Sequence, residues 1–222
     1  MKNYIFDLDN TLYPYDNGLF DMQLQRMSDF IKLKLDVLDD EKANAIRDEL
    51  YYECGSTMLG LMRYHNIEYK EFLHFIDNIE INHFRPNKEL NGILLDLKEK
   101  NKNLYIFTNA SDFHADRLLK QFDLHQFFHG ILTLEKTGLV PKPKQKYYEI
   151  GQQKFGINFE DSIFFEDSSH NLVTAKYLGM TTVLVHADDD KSATNFYDNE
   201  EIDYYVRDVE SFFDGDYIAT RK

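Results

Sequence analysis

Four short segments carry side chains that could do chemistry together. The first is Asp7-Leu8-Asp9-Asn10-Thr11, which begins inside the run YIFDL close to residue 1. Along an extended backbone, alternation points Asp7 and Asp9 the same way and Leu8 the other. Two carboxylates on one side repel, and one of them takes a raised pKa unless a cation sits between them. The second segment, LYIFTN, ends in Thr108 and Asn109. A hydroxyl with free backbone amides at a helix start is a ready cradle for an anion such as phosphate. The third is Lys142 in VPKPKQKYY, beside Pro143, and the fourth is SIFFED, which ends in Glu166 and Asp167. Taken singly, each has a plainer explanation. Asp, Thr and Asn serve as turn and helix-capping residues, and a lysine among Lys144 and Lys146 is an ordinary solvated charge.

Whether these segments meet depends on the elements that carry them. Tyr4 to Leu8 reads as a short strand. Phe20, Leu24, Met27, Ile31, Leu35 and Leu38 then recur at gaps of three and four, which predicts one helix face. Ala43, Ile46 and Leu50 continue in a second helix, and Phe72, Phe75, Ile76 and Ile79 in a third. After Arg85 and Pro86 the rhythm changes. Leu90 to Leu97 reads as a helix, LYIFTN as a buried strand and Asp112 to Phe122 as a helix. GILTL, SIFFED and TTVLVH read as further strands, with helices after Pro143 and over Ser169 to Leu178 between them. DYYVRDVESFF closes the pattern as a strand and a helix. Such alternation predicts an α/β fold, a Rossmann-like parallel sheet with helices on both faces. The expected organisation is a core of residues 1–15 and 86–222, with an all-helical insert over 16–85 after the first strand.

In such sheets the ligand site lies beyond the carboxyl ends of the strands. All four segments sit at predicted strand ends or helix starts, so they are expected to converge. Together they supply carboxylates, a hydroxyl and one lysine. Magnesium prefers oxygen ligands and commonly takes one or two carboxylates plus a substrate phosphate, a demand that Asp7 and Asp167 with a backbone carbonyl would meet.

The whole chain bounds the rest. Its 222 residues carry 39 acidic against 25 basic side chains, a formal charge of −14. That field repels DNA, RNA and anionic membranes, which argues against a nucleic-acid polymer as partner. It also repels phosphate esters, so a phosphate site here needs a local cation, as Lys142 and a metal would provide. The single cysteine, Cys54, cannot form an intrachain disulfide and fits a reducing compartment. No signal peptide or apolar span is evident, so a cytoplasmic protein is the expectation. His114 and His170 follow two of the strands and read as surface residues. Asp188-Asp189-Asp190 reads as a solvated loop.

The ordered series FDLDNTLYP, FTNA, a lysine–proline step and FFEDS resembles the haloacid dehalogenase superfamily of phosphohydrolases. Residue by residue, the resemblance implies Asp7 as nucleophile and Asp9 as general acid and base. It implies Mg2+ held by the Asp7 and Asp167 side chains and the Asp9 carbonyl, with Glu166 in or beside that shell. Thr108 would hold phosphoryl oxygens, with Asn109 next to it at the substrate, and Lys142 would neutralise charge. The helical insert would be a cap that closes to exclude water. DNTLYP, CGSTMLGL and FTNASDFHADRLL are similar to the pyrimidine 5′-nucleotidase-like branch, although that branch carries an aromatic where Cys54 stands and threonine where Ser56 stands. Ser56 and Thr57 are then candidates for substrate contact. The resemblance implies hydrolysis of a small phosphorylated metabolite, nucleoside 5′-monophosphates such as UMP or CMP first. A sugar phosphate, phosphoglycolate, a sugar-phosphate mutase and a catalytically silent binding protein on the same fold are the alternatives. A dehalogenase has no use for a second carboxyl at Asp9, which favours phosphoryl chemistry.

Overall fold

The computed structural model describes residues 1–185 and 200–220, so Asp188 to Asp190 and the end of the run TTVLVH lie outside the described residues. The chain divides into two compact units, one of Met1–Asn17 with Phe84–Lys222 and one of Gly18–His83. The insert is thus two residues shorter at each end than the change of apolar rhythm suggests.

Among the described residues, the larger unit holds seven strands. They are β1 (Asn3–Phe6), β2 (Asn103–Phe107), β3 (Gly130–Leu132), β4 (Ser162–Glu166), β5 (Thr181–Val185), β6 (Tyr204–Val206) and β7 (Ile218–Ala219). They form one sheet in the order β3-β2-β1-β4-β5-β6-β7. The first six run parallel and β7 pairs antiparallel with β6. The short β7 is a departure from the all-parallel expectation. Its two residues are exposed, so they lack the apolar run that marks the inner strands. By contrast SIFFE of β4 is buried throughout, as a strand covered on both faces must be.

The smaller unit contains α1 (Leu19–Leu35), α2 (Asp40–Cys54), α3 (Thr57–His65) and α4 (Tyr69–Ile76). The first helix stops before Leu38, because Asp36 adopts a left-handed conformation with φ 53°. Leu38 is accordingly exposed rather than part of the apolar stripe. The helix α3 was not legible as a separate element, and the third helix read from the sequence is α4. Gly55, with φ 75°, ends α2 and lets the chain restart two residues later. The sheet is flanked by α5 (Lys88–Glu99), α6 (Asp112–Gln121), α7 (Gln145–Phe155), α8 (Ser169–Tyr177) and α9 (Val209–Asp214). No helix among the described residues is long and apolar enough to cross a membrane.

Two features of this core place and brace the strand ends. Sheet order reverses at β1: its successors β2 and β3 go to one side and β4 to β6 to the other. A crevice opens at the carboxyl ends of the strands where the order reverses. In addition, α7 lies close on the sheet and clamps the strand ends. The Tyr147 hydroxyl reaches the carbonyls of Thr108 at 3.0 Å and Leu132 at 2.8 Å. Close approach requires Gly151, where a Cβ would stand 2.3 Å from Phe107 Cζ and 2.9 Å from Leu132 Cδ2. Gly151→Ala is expected to lower stability by about 1–2 kcal/mol, the overpacking outweighing the helix propensity gained. Urea denaturation checks this, and a midpoint equal to or above that of the parent would contradict such close packing.

Candidate active site

Phe6, the last residue of β1, is level with Ile106 on β2 and Phe165 on β4. One residue further along, the Asp7 amide donates to Phe165 O at 2.8 Å, so Asp7 emerges at the sheet edge between its two neighbours. Glu166 ends β4, and Asp167 follows it. On the other side Thr108 follows β2, its amide donating to Leu132 O at 2.9 Å. The strand register therefore fixes where these side chains emerge. Lys142 comes from the loop before α7, and the side chain of Asn109 holds that loop. Lys142 N donates to Asn109 Oδ1 at 2.8 Å, and Asn109 Nδ2 donates to Lys142 O at 3.2 Å.

The Lys142 ammonium donates to Asp7 Oδ1 at 2.7 Å, to Glu166 Oε2 at 2.6 Å and to Phe107 O at 2.8 Å. An ammonium has three protons, and all three are used. Both ion pairs are buried. Asp7, Glu166 and Asp167 each offer a carboxylate oxygen, and these lie within 4.8 Å of one another. Asn10 steadies Asp167 by donating from Nδ2 to Oδ2 at 3.2 Å, from a left-handed backbone at φ 60° that asparagine tolerates.

Three carboxylates thus share one ammonium, and their proton affinities follow. Burial pushes Asp7 up to about 8, with the Glu166 charge adding to it and Lys142 opposing it. Burial likewise raises Glu166 to about 7 against the pull of Lys142. Asp167 rises to about 6 through burial and the charge of Asp7. Burial alone would lower the Lys142 ammonium, but Asp7 and Glu166 hold it above its ordinary value. Once ionised, the trio leaves two negative charges beyond what Lys142 offsets. Hard oxygen donors at this spacing with that excess suit a divalent cation such as Mg2+. Asn10 Oδ1 and Thr11 Oγ1 are buried without a hydrogen-bond partner beside this cluster.

Asp9 stands apart from that trio. Its Oδ1 accepts from the Tyr13 hydroxyl at 2.6 Å and lies 2.9 Å from His114 Nε2. Burial would raise the Asp9 carboxyl, yet the His114 charge and hydrogen bond and the Tyr13 hydroxyl outweigh it and hold it below its usual value. This corrects the reading of His114 as a surface residue, since His114 is buried at 2% exposure. It sits in the first turn of α6, with its amide donating to the capping Ser111 Oγ at 2.9 Å. A histidine in the first turn after an active-site strand is the signal that could have marked it. Tyr13 could have been found from its spacing of four from Asp9, since Leu12 N donates to Leu8 O and the chain turns helically there. His170, in contrast, is exposed.

Other expected site residues fall differently. The Thr108 hydroxyl accepts from Ala110 N at 2.9 Å and is buried at the strand end. Asn109 holds the backbone of Lys142 with both ends of its amide, which makes it a support for that loop. In the insert, the buried Thr57 hydroxyl donates to Arg47 O at 3.1 Å, so it ties α3 to α2 instead of presenting a free hydroxyl. Ser56 precedes α3, is half-buried and makes no side-chain capping bond.

Residues 4–185 match the haloacid dehalogenase-like hydrolase family, and the chain belongs to it. Phosphate metabolism protein 8 of Saccharomyces cerevisiae is 28% identical over 82% of this chain, which spans 61% of that relative's length. Glyceraldehyde 3-phosphate phosphatase of Methanocaldococcus jannaschii is 23% identical over 96% of each chain. The crystal structure of a HAD phosphatase from Thermococcus onnurineus superposes with a TM-score of 0.66 at 20% identity, covering 96% of this chain and 97% of that one, a likeness of fold.

The raised carboxyls give a pH dependence with a definite sign. Their folded pKa values exceed the unfolded ones near 4, so the folded state binds more protons between pH about 4 and about 8. Their contribution to stability therefore falls as pH rises through that window. A divalent cation should offset the loss. In thermal melts at pH 5.5 and pH 8, the rise in Tm on adding magnesium is expected to be larger at pH 8. A rise of the same size at both values would argue against the cluster as the binding site.

Proposed function

We propose that this chain is a magnesium-dependent phosphomonoester hydrolase that works through an aspartyl phosphate on Asp7. One observation carries the proposal: two carboxylates two residues apart have opposite surroundings. Asp7 lies against Lys142 within a buried acidic trio, while Asp9 is held by Tyr13 and His114. Environments that separate two carboxylates also separate their roles, and one here suits a nucleophile and the other a proton carrier. Family membership and the phosphatase relatives support the same reaction class.

In the proposed sequence an Asp7 carboxylate oxygen attacks phosphorus, and the ester oxygen leaves with a proton from Asp9. A phosphate dianion beside Asp9 opposes its charge, which favours the protonated form that this step needs. Asp9, now ionised, takes a proton from the water that attacks the aspartyl phosphate, which frees phosphate and restores Asp7. Lys142 holds Asp7 in place and offsets charge on the transferring group, with Thr108 as a further donor to its oxygens. Asp7, Asp167 and the Asp9 carbonyl would hold Mg2+, with Glu166 beside them, and the ion would supply positive charge to the phosphoryl oxygens.

For the substrate, we infer nucleoside 5′-monophosphates, UMP and CMP first, from the resemblance of DNTLYP, CGSTMLGL and FTNASDFHADRLL to the pyrimidine 5′-nucleotidase-like branch. On the same ground the insert acts as the cap and Ser56 contacts the leaving group. A second reading, a small sugar phosphate, is favoured by the match to glyceraldehyde 3-phosphate phosphatase along nearly the whole of both chains. Phosphate release from UMP, CMP, glyceraldehyde 3-phosphate, sugar phosphates and phosphoglycolate separates the two. Hydrolysis is expected with magnesium and not with EDTA. Asp7→Asn is expected to remove turnover while the protein still melts cooperatively. Near-normal turnover in purified Asp7→Asn would refute the nucleophile assignment.

A further inference from the structure

Both partners of Asp9 converge on the same oxygen. The Tyr13 hydroxyl and His114 Nε2 lie 2.6 Å and 2.9 Å from Oδ1, and among the described residues no donor reaches Oδ2. An ionised carboxylate only accepts hydrogen bonds, so His114 carries its proton on Nε2 in this arrangement. Neither partner is free to move. Tyr13 and His114 are 4% and 2% exposed, and the Tyr13 ring stacks on Phe122 with centroids 5.6 Å apart. The His114 backbone is held by Ser111 at the start of α6.

The terminal torsion of an aspartate is broad and roughly two-fold, so an unpartnered carboxyl group samples many orientations of its plane. Two donors on one oxygen remove that freedom. They also make Oδ1 the poorer place for a proton, which directs protonation to Oδ2.

We propose that Tyr13 and His114 are positioning residues that anchor Asp9 through Oδ1 and so present Oδ2 as the atom that gives the proton to the leaving group and later takes one from water. This rests on the phosphatase reading and deepens it. In the first transfer the O–H bond at Oδ2 breaks, and its electron pair stays on Asp9 as the leaving oxygen gains the proton. In the second, Oδ2 takes a proton from water as the water oxygen bonds to phosphorus. Tyr13 and His114 keep their own protons throughout.

The test uses leaving groups that differ in their need for a proton. p-Nitrophenolate departs without protonation, whereas an alkoxide does not. The variants are Tyr13→Phe, which removes one oxygen atom, His114→Leu, and His114→Gln, whose amide can donate from near the Nε2 position. kcat/KM is measured on p-nitrophenyl phosphate and on whichever nucleotide or sugar phosphate the wild-type protein hydrolyses fastest. Tyr13→Phe and His114→Leu are each expected to lose about tenfold or more on that alkyl phosphate beyond their loss on p-nitrophenyl phosphate, well within what general acid catalysis contributes. His114→Gln is expected to recover most of the difference. Equal losses on the two substrates, or no loss on either, would overturn the positioning role while leaving the phosphatase reading in place. Wild-type protein inert toward every phosphate would overturn both. Should His114→Leu fail to fold, Tyr13→Phe and His114→Gln decide the matter alone.

Discussion

The constraint on which the rest of the site depends is one buried ammonium shared by more carboxylates than it can neutralise. Lys142 binds Asp7 and Glu166 directly, and Asp167 adds a third acid to the same few ångströms. A buried ion pair is weak evidence of stabilisation, because desolvation can exceed the Coulomb gain. An unbalanced one is costlier, and the raised carboxyls of Asp7, Glu166 and Asp167 express that cost. Much nearby structure serves to hold the arrangement against it. Phe107 O takes the last Lys142 proton, Asn109 ties down the lysine's backbone, and Tyr147 fixes the ends of β2 and β3 from α7. A cluster kept at this cost is readily understood if an incoming divalent cation completes its charge balance.

Asp9 shows the other way in which the fold handles a buried acid. It is two residues from Asp7, in the turn that follows β1, and its partners are hydrogen-bond donors from just beyond that turn and from α6. Its carboxyl is therefore lowered while that of Asp7 is raised. Backbone geometry brings the two acids to one place, and their neighbours make them chemically unlike. That difference needs residues from three separated parts of the chain, near positions 9, 114 and 166. It exists only when the sheet has assembled.

How far the sequence foretold this follows from which interactions are local. The parallel strands were legible because apolar runs such as YIF and SIFF, the second buried throughout and the first but for a half-buried Tyr4, end abruptly in acids. That Asp7, Glu166 and Asp167 would meet was legible because parallel strands in register deliver their last residues to one edge, and Lys142 joins them from the loop before a helix. The His114 contact was legible only as a position, since a histidine in the first turn of the helix after β2 shows its place but not the residue 105 positions away that it touches. The backbone bonds that Asn109 and Thr57 make were hidden for a related reason. A polar side chain near a site looks the same in sequence whether it faces a ligand or closes a backbone gap. The extra helix α3 was hidden because it restarts only two residues after the Gly55 cap of α2, and the small antiparallel β7 by brevity and exposure.

The insert is organised on a different principle from the core. Arg47 donates from one nitrogen to Leu24 O, Ser28 Oγ and Asn44 Oδ1, which joins α1 to α2, and its carbonyl receives the Thr57 hydroxyl from α3. Its aromatic packing is also internal, with Phe30 meeting Phe72 and Phe75 edge to face. These contacts give the small unit its own reasons to fold. The charged cluster, for its part, draws its hydrogen bonds and ion pairs from residues of the larger unit. Exposed positions of the insert, such as Tyr52, can therefore change without leaving a buried charge unpaired in the core.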